Sequence, residues 1–325
     1  MAEGTLVAGE YRAGALSKGT LEALAAARSL GAGPVDLVLL GTGSASDESA
    51  FAHGADVVLA VDRDLSDEEA VAAVAGAAAQ RSPRYVLGAK DFAGGAMARI
   101  AYRLGTALAN DCTALDTDGD GHLLATRPVY GGSAIAMVRC VSVPAVASLR
   151  AGAYDPLGAD DSREGERVGF DPELGAEEAR VKIIERHERP PEGVRLEDAK
   201  VIVSGGRGLG GPEPFEQLEA LAGLLKGAVG ASRAACDAGW VPSSYQIGLT
   251  GKSVTPDLYI AIGISGASQH LAGLSGARAI VAINKDAGAA IFKESRFGVA
   301  GDWAQVLPAF VEQLREVLDE TTEGG

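Results

Sequence analysis

Val201-Ile202-Val203-Ser204-Gly205-Gly206-Arg207-Gly208-Leu209-Gly210-Gly211 runs from an apolar, β-branched segment straight into a glycine-rich loop. Val201–Ser204 reads as a strand, and the loop leads towards a helix at Leu218–Leu225. Glycine here allows the main chain to approach a phosphate group, and a following helix start adds partial positive charge. Gly206, Gly208 and Gly211 fit the GxGxxG spacing, and Arg207 is placed to pair with a pyrophosphate. The acid that an NAD-binding unit uses for ribose is missing, because the next strand ends in Ser232-Arg233. A strand–glycine loop–helix unit without that acid argues against an ordinary NAD-binding unit, and taken alone the loop reads equally as a glycine-rich turn.

Downstream, the alternation continues. Ala228–Ala231, Leu258–Ile264 and Ala279–Asn284 read as strands, and Ser268–Leu274 and Trp303–Leu318 as helices. Leu307, Phe310, Val311 and Leu314 recur at helical spacing, so the last helix packs one face on a core. Ligands of open α/β sheets sit outside the carboxyl ends of the strands. Ser232, Arg233, Thr250, Ser265, Gln269, His270 and Asn284 all fall there or in the connecting loops, and Lys285-Asp286 extends the same rim. Several such groups together favour a polar, phosphate-bearing cofactor.

Upstream, Thr5–Ala8, Val35–Leu40, Val57–Val61 and Tyr85–Gly88 read as strands, with helices over Leu21–Leu30, Glu68–Gln80 and Ala93–Leu108. Ser66 and Glu69 form a capping box at the second of these helices. Strand–helix alternation implies parallel strands with right-handed crossovers. From Cys112 to Leu149 the pattern turns β-rich, with strands at His122–Thr126 and Ile135–Val143 about a Gly131-Gly132 turn, as an antiparallel flap or an edge extension of the sheet. Tyr154 to Lys200 is charged and proline-broken; Val181–Glu188 reads as one strand, and Pro190-Pro191-Glu192-Gly193 as a linker. The chain is therefore expected to hold two tandem α/β domains with doubly wound parallel sheets, residues 1–195 and 196–325.

Composition excludes other classes. The 325 residues carry 29 basic against 44 acidic side chains, a net charge of −15; from Lys200 onward 10 face 13, so most excess acid lies earlier. Without a basic stripe, neither nucleic acid nor anionic lipid is an expected partner. No apolar run approaches the roughly 20 residues of a membrane span, and Met1–Glu10 lacks a secretion or transit pattern, so a cytoplasmic location is expected. Cys112, Cys140 and Cys236 are scattered, and His53, His122, His187 and His270 show no metal spacing, so no metal site is expected. Asp116–Gly121 imitates a calcium loop whose twelfth position is Arg127, and reads as a hairpin turn. Gly251-Lys252-Ser253 lacks the P-loop's earlier glycine, the position holding Gln246; Gly41-Thr42-Gly43 reads as a structural turn.

Across about the last 125 residues the ordered motifs resemble the alpha subunit of electron transfer flavoprotein. The match is carried by Gly205-Gly206-Arg207-Gly208, Ser232-Arg233-Ala234-Ala235, Gln246-Ile247-Gly248-Leu249-Thr250-Gly251-Lys252, Leu258 to His270, and Val281-Ala282-Ile283-Asn284-Lys285-Asp286. Arg127-Pro128-Val129-Tyr130-Gly131-Gly132 agrees in the first domain. The resemblance implies a second domain that is a Rossmann-like FAD-binding domain and a beta subunit completing a heterodimer. It also implies an electron carrier rather than an enzyme, taking electrons from dehydrogenases such as acyl-CoA dehydrogenases and passing them to a quinone-linked oxidoreductase, as in fatty acid beta-oxidation. By position it implies that FAD is lined by Arg207, Ser232, Arg233, Ile247, Gly248, Leu249, Thr250, Ser265, Gly266, Ala267, Ser268, Gln269, His270, Asn284, Asp302 and Trp303. It sets Arg233 beside the isoalloxazine ring, Thr250 near N5 and His270 near O2. Leu249, Ser268 and Ala290 depart from the frequent residues of the family.

A cation at about 4 Å from a developing negative charge, at an effective dielectric of about 20, is worth roughly 4 kcal/mol before desolvation. For one electron that is on the order of 170 mV, which casts His270 and Arg233 as tuners of the potential and predicts a lower potential in His270→Ala. The competing readings are a nucleotide- or nicotinamide-dependent enzyme, which needs an acid/base pair beside its cofactor, and a non-redox nucleotide-binding scaffold.

Overall fold

The computed structural model describes residues 2–12, 14–41, 45–132, 134–175, 180–181, 184, 194–274 and 276–323. The chain divides into two compact units, Met1–Glu188 and Arg189–Gly325.

In the first unit the chain order is β1 (Thr5–Arg12), β2 (Ala15–Leu16), α1 (Lys18–Leu30), β3 (Val35–Leu40), α2 (Ala45–Ala52), β4 (Val57–Val61), α3 (Asp67–Arg81), β5 (Tyr85–Ala89) and α4 (Met97–Arg103). There follow β6 (Leu108–Cys112), β7 (Ala114–Thr117), β8 (Leu123–Val129), β9 (Ala134–Cys140), β10 (Ala145–Leu149) and β11 (Glu166–Gly169). Strands β11-β4-β3-β1-β5-β10-β6 form a parallel sheet, with β2 turned back antiparallel on β1. β3 and β4 are buried at every position, as a sheet covered on both faces requires. Alternate residues divide between two cores: Leu37 and Val58 pack on one face, Val38 and Leu59 on the other. The Ser66–Glu69 capping box forms as expected: Ser66 Oγ accepts from the Glu69 amide, and Glu69 Oε2 accepts from the Ser66 amide.

Two expectations are corrected in this unit, and one open alternative is decided. The helix expected over Ala93–Leu108 is broken: Gly94, Gly95 and Gly105 adopt positive φ, leaving a 3-10 turn at Phe92–Gly94 and an α-helix only over Met97–Arg103, and Leu108 already begins β6. The antiparallel flap is a separate sheet, β7-β8-β9, not an edge extension. The strand expected over Ile135–Val143 ends at Cys140, and after Pro144 the chain enters β10, an interior strand between β5 and β6. Asp116–Gly121 leads into the β7–β8 hairpin turn. The expected strand Val181–Glu188 and linker Pro190–Gly193 lie largely outside the described residues.

The second unit runs β12 (Val201–Gly205), α5 (Phe215–Leu224), β13 (Ala228–Ala231), α6 (Arg233–Asp237), β14 (Leu258–Ile262), α7 (Ser268–Leu271), β15 (Ile280–Asn284), α8 (Ile291–Glu294), β16 (Phe297–Ala300) and α9 (Trp303–Glu323). The five strands are parallel in the order β13-β12-β14-β15-β16. Apolar side chains cover both faces: Ile202, Tyr259 and Ala282 on one, Val203, Ile260 and Ile283 on the other. Leu307, Phe310, Val311 and Leu314 of α9 pack on the second of these cores, as their spacing implied. The chain leaves β12 towards β13 and returns past it to β14, so the winding reverses between β12 and β14, where doubly wound sheets open a crevice.

Candidate functional site

The glycine loop after β12 is fastened to the end of β14. Gly206 N donates to Ile262 O and Gly208 N to Gly263 O, both at 2.9 Å. A Cβ on Gly206 would lie 2.3 Å from Gly263 O, and one on Gly208 2.8 Å from Gly263 Cα. Glycine is required because two stretches of main chain touch there, and Gly263 answers with a positive φ of 65°.

Around this contact opens a cleft of about 820 Å³. The loop after β12 contributes Arg207, and the end of β13 contributes Ser232 and Arg233. Ile247, Gly248, Leu249 and Thr250 form one wall. Ser265, Ala267, Gln269 and His270 come from the loop and helix after β14, and Asn284 from the end of β15. Twelve of the sixteen expected residues therefore meet at one cleft, although they arise from five separate segments.

The other four do not line it. Gly266, at φ 80°, packs on the Ile291 main chain, where a Cβ would lie 2.2 Å from the Ile291 nitrogen. Ser268 is exposed at the start of α7 and donates to Gln269 Oε1 at 3.3 Å. Asp302 accepts from the Ala304 amide at 3.0 Å at the start of α9, and Trp303 packs on the core under that helix. Sequence reasoning had not separated residues that face the cleft from those that shape the loops around it.

Charge is concentrated here. Arg207, Arg233 and Lys285 reach the cleft, with Asp237 and Asp286 as its acids, in a chain of net charge −15. Arg233 Nε pairs with Asp237 Oδ2 at 3.2 Å along α6, in solvent; Arg207 and Lys285 have no carboxylate partner among the described residues. Asn284 braces the rim, donating from Nδ2 to Ile264 O and accepting from the Asp286 amide. Thr250 Oγ1 accepts from Gln246 Nε2 at 3.0 Å.

Ser232 carries the clearest sign of a missing partner. Its Oγ is buried and has no hydrogen-bond partner in the protein. A buried hydroxyl in that state costs about 1–3 kcal/mol, and it sits on the cleft wall beside Arg233.

His270 departs from its expected role. It is 7% exposed, and burial pushes its pKa down to about 4, so the ring is neutral near pH 7. Nδ1 lies 3.0 Å from the Ile247 carbonyl oxygen and Nε2 3.0 Å from the Tyr259 hydroxyl. Neither nitrogen is left over to act as cation, donor or general base in the cleft. The cations that reach the cleft are Arg207, Arg233 and Lys285. Tyr259 escaped sequence reasoning because it lies in a continuous apolar strand that reads as core.

Outside the cleft, Asp118, Asp120 and His122 bring ligating atoms within 4.8 Å of one another in the β7–β8 turn. Arg139 pairs with Asp118 at 2.6 Å and Asp120 at 3.2 Å, and its guanidinium holds the Asp118 carboxyl well below the usual range. This guanidinium offsets one of the two carboxylate charges.

Comparison with known proteins adds two family models. One described as the electron transfer flavoprotein domain matches residues 5–174, and one described as the electron transfer flavoprotein FAD-binding domain matches residues 195–275. The chain is 41% identical over 318 residues to an electron transfer flavoprotein subunit alpha of Thermoanaerobacterium thermosaccharolyticum, covering 95% of this chain and 96% of that one. It is 39% identical over 324 residues to the subunit of the same name from Bacillus subtilis, covering 98% and 99%. It is 38% identical to Protein FixB of Clostridium saccharobutylicum, covering 97% of each.

Proposed function

The chain belongs to the electron transfer flavoprotein family, among its alpha subunits, and from that premise we propose that it binds FAD in the cleft of the second unit and works as half of a heterodimer with a beta subunit. The complex takes electrons from dehydrogenases, acyl-CoA dehydrogenases among them, and delivers them to a quinone-linked oxidoreductase. It works in the cytoplasm; no helix among the described residues is long and apolar enough to cross a membrane.

The observation that carries this reading is the convergence of the family motifs on one cleft at the β12/β14 reversal. The residues present suit FAD. Ser232 offers a buried hydroxyl without a partner, and Arg207 a guanidinium without a carboxylate, where a pyrophosphate would meet the glycine loop. FAD, when bound, supplies the electron-accepting and electron-donating chemistry. This chain's residues bind and orient it: Arg207 and Ser232 hold polar oxygens, and the Ile247–Thr250 segment and His270 form a neutral wall. Arg233 provides the cation, discounted by its exposure and its pairing with Asp237. With both His270 nitrogens engaged, the cleft has no free histidine base, which favours a carrier over an enzyme with its own substrate.

The test is to co-produce this chain with a beta subunit and record the visible spectrum, the releasable flavin and reduction by an acyl-CoA dehydrogenase with its substrate. A yellow complex releasing FAD and reduced by the dehydrogenase is expected. A colourless complex that also refuses added FAD overturns the reading.

A further inference from the structure

Behind the cleft wall runs a buried chain of hydrogen bonds. Tyr259, on β14, is wholly buried, and its hydroxyl lies 3.0 Å from His270 Nε2; His270 Nδ1 lies 3.0 Å from the Ile247 carbonyl oxygen. A carbonyl oxygen can only accept, so Nδ1 carries the proton and donates to it. Nε2 then holds the lone pair and accepts from the Tyr259 O–H. Burial raises the phenol above its ordinary value, so it remains a donor throughout the physiological range, with the wholly buried Ser204 of β12 beside it. The chain thus links the sheet core to α7 and to the 247–250 segment, and the last two line the cleft.

We infer that Tyr259 is a positioning residue for the cofactor cleft, whose hydroxyl locks His270 as the neutral Nδ1–H tautomer so that this wall presents no charge to the bound group. The identity of that group rests on the FAD reading of the cleft; the tautomer is a property of this chain alone. Tyr259 is the titratable group in contact with His270, from β14. The 247–250 segment meets it with main chain, and no charged side chain among the described residues contributes to its titration. A donor to Nε2 stabilises the lone pair and hence the neutral ring. Phenylalanine at this position keeps the aromatic ring in the core and removes the hydroxyl, so the lone pair on the neutral Nε2 loses its donor. Losing one such bond corresponds to a roughly tenfold rise in the proton affinity of His270.

The experiment is long-range proton–nitrogen NMR of the histidine rings in the full αβ complex, wild type and Tyr259→Phe, from about pH 4 to 8, with His270→Gln to assign the signal. The wild type is expected to show the neutral Nδ1–H pattern at pH 7, persisting to below about pH 5. In Tyr259→Phe the titration midpoint rises about tenfold in proton affinity, and the pH profile of the bound cofactor's potential gains an inflection at that midpoint. A protonated or Nε2–H His270 in the wild type overturns the inference, as does an unchanged midpoint in Tyr259→Phe. A merely structural tyrosine would lower thermal stability and leave the midpoint where it was. If the complex takes up no FAD, the reading of the cleft fails while the NMR arm still decides the tautomer.

Discussion

Gly206→Ala should loosen the second unit and weaken cofactor binding together, and the geometry sets the size of both effects. At Gly206 the backbone has φ −111°, which alanine adopts without strain, so the whole cost lies in the new methyl group. That methyl would sit 2.3 Å from Gly263 O, 2.7 Å from Gly263 C and 2.8 Å from Ile264 Cα, all main-chain atoms that no rotamer change can move. Reaching ordinary contact requires the two loops to part by about 1 Å. That displacement forfeits the Gly206–Ile262 and Gly208–Gly263 hydrogen bonds, at about 1 kcal/mol each, on top of about 1–3 kcal/mol for overpacking. Alanine's lower freedom in the unfolded chain returns less than about 1 kcal/mol. The net loss is about 3 kcal/mol, a fall in Tm of roughly 10 °C for a unit of this size. Calorimetric unfolding of the variant, with flavin titration of its complex with the beta subunit, reads both quantities, and FAD affinity should drop at least tenfold as Arg207 moves. Gly223→Ala on α5 is the control: nothing lies within 4 Å of its added Cβ, and it should stabilise by up to about 1 kcal/mol. If Gly206→Ala unfolds within about 2 °C of the wild type and takes up flavin normally, the close approach of the two loops is not what demands glycine.

Two further outcomes follow from individual buried groups. Ser232→Ala removes a buried hydroxyl without a protein partner, so the flavin-free chain should be as stable as the wild type or slightly more so, while FAD affinity falls by about tenfold; denaturant unfolding and flavin titration check the two signs, and a loss of stability without flavin would contradict them. Glu22 is 2% exposed, accepts from the Gly152 amide with both oxygens, and is pushed by burial from 4.5 to about 7, with Lys18, Asp91 and Asp155 as its charged neighbours. The folded state therefore binds this proton more tightly than the unfolded one, and stability falls as pH rises from about 4.5 through 7, by at most about 3 kcal/mol. Glu22→Gln should flatten that part of the denaturation-versus-pH curve, and an unchanged slope would refute the assignment.

Much of the candidate site was legible because its residues follow strands directly. Ser232, Ser265 and Asn284 stand just beyond or at the ends of β13, β14 and β15, and a strand end in a parallel sheet has a known address. What sequence position could not convey was direction. Ser268 stands beside Gln269 and His270 yet does not line the cleft, and Gly266 serves the Ile291 contact. Nor could position convey environment: His270 reads as a cation or donor beside a flavin, whereas burial and two engaged nitrogens leave the ring neutral in the structure. Elsewhere Gly94, Gly95 and Gly105 ended a helix that an alanine-rich stretch had suggested, since helix propensity is weak against left-handed glycines.

By itself the sequence determined the two alternating α/β series, the parallel character of both sheets, the glycine loop after β12 and the family. All of these reside in local patterns: hydrophobic period, capping residues, turn punctuation and ordered motifs. Only the tertiary structure decided that β10 lies inside the first sheet, that the flap is a sheet of its own, and that twelve residues from five segments share one cleft. It alone placed the Tyr259 hydroxyl 3.0 Å from His270 Nε2. These depend on which distant segments pair and on how much water is excluded between them, and neither quantity is carried by any short stretch of chain.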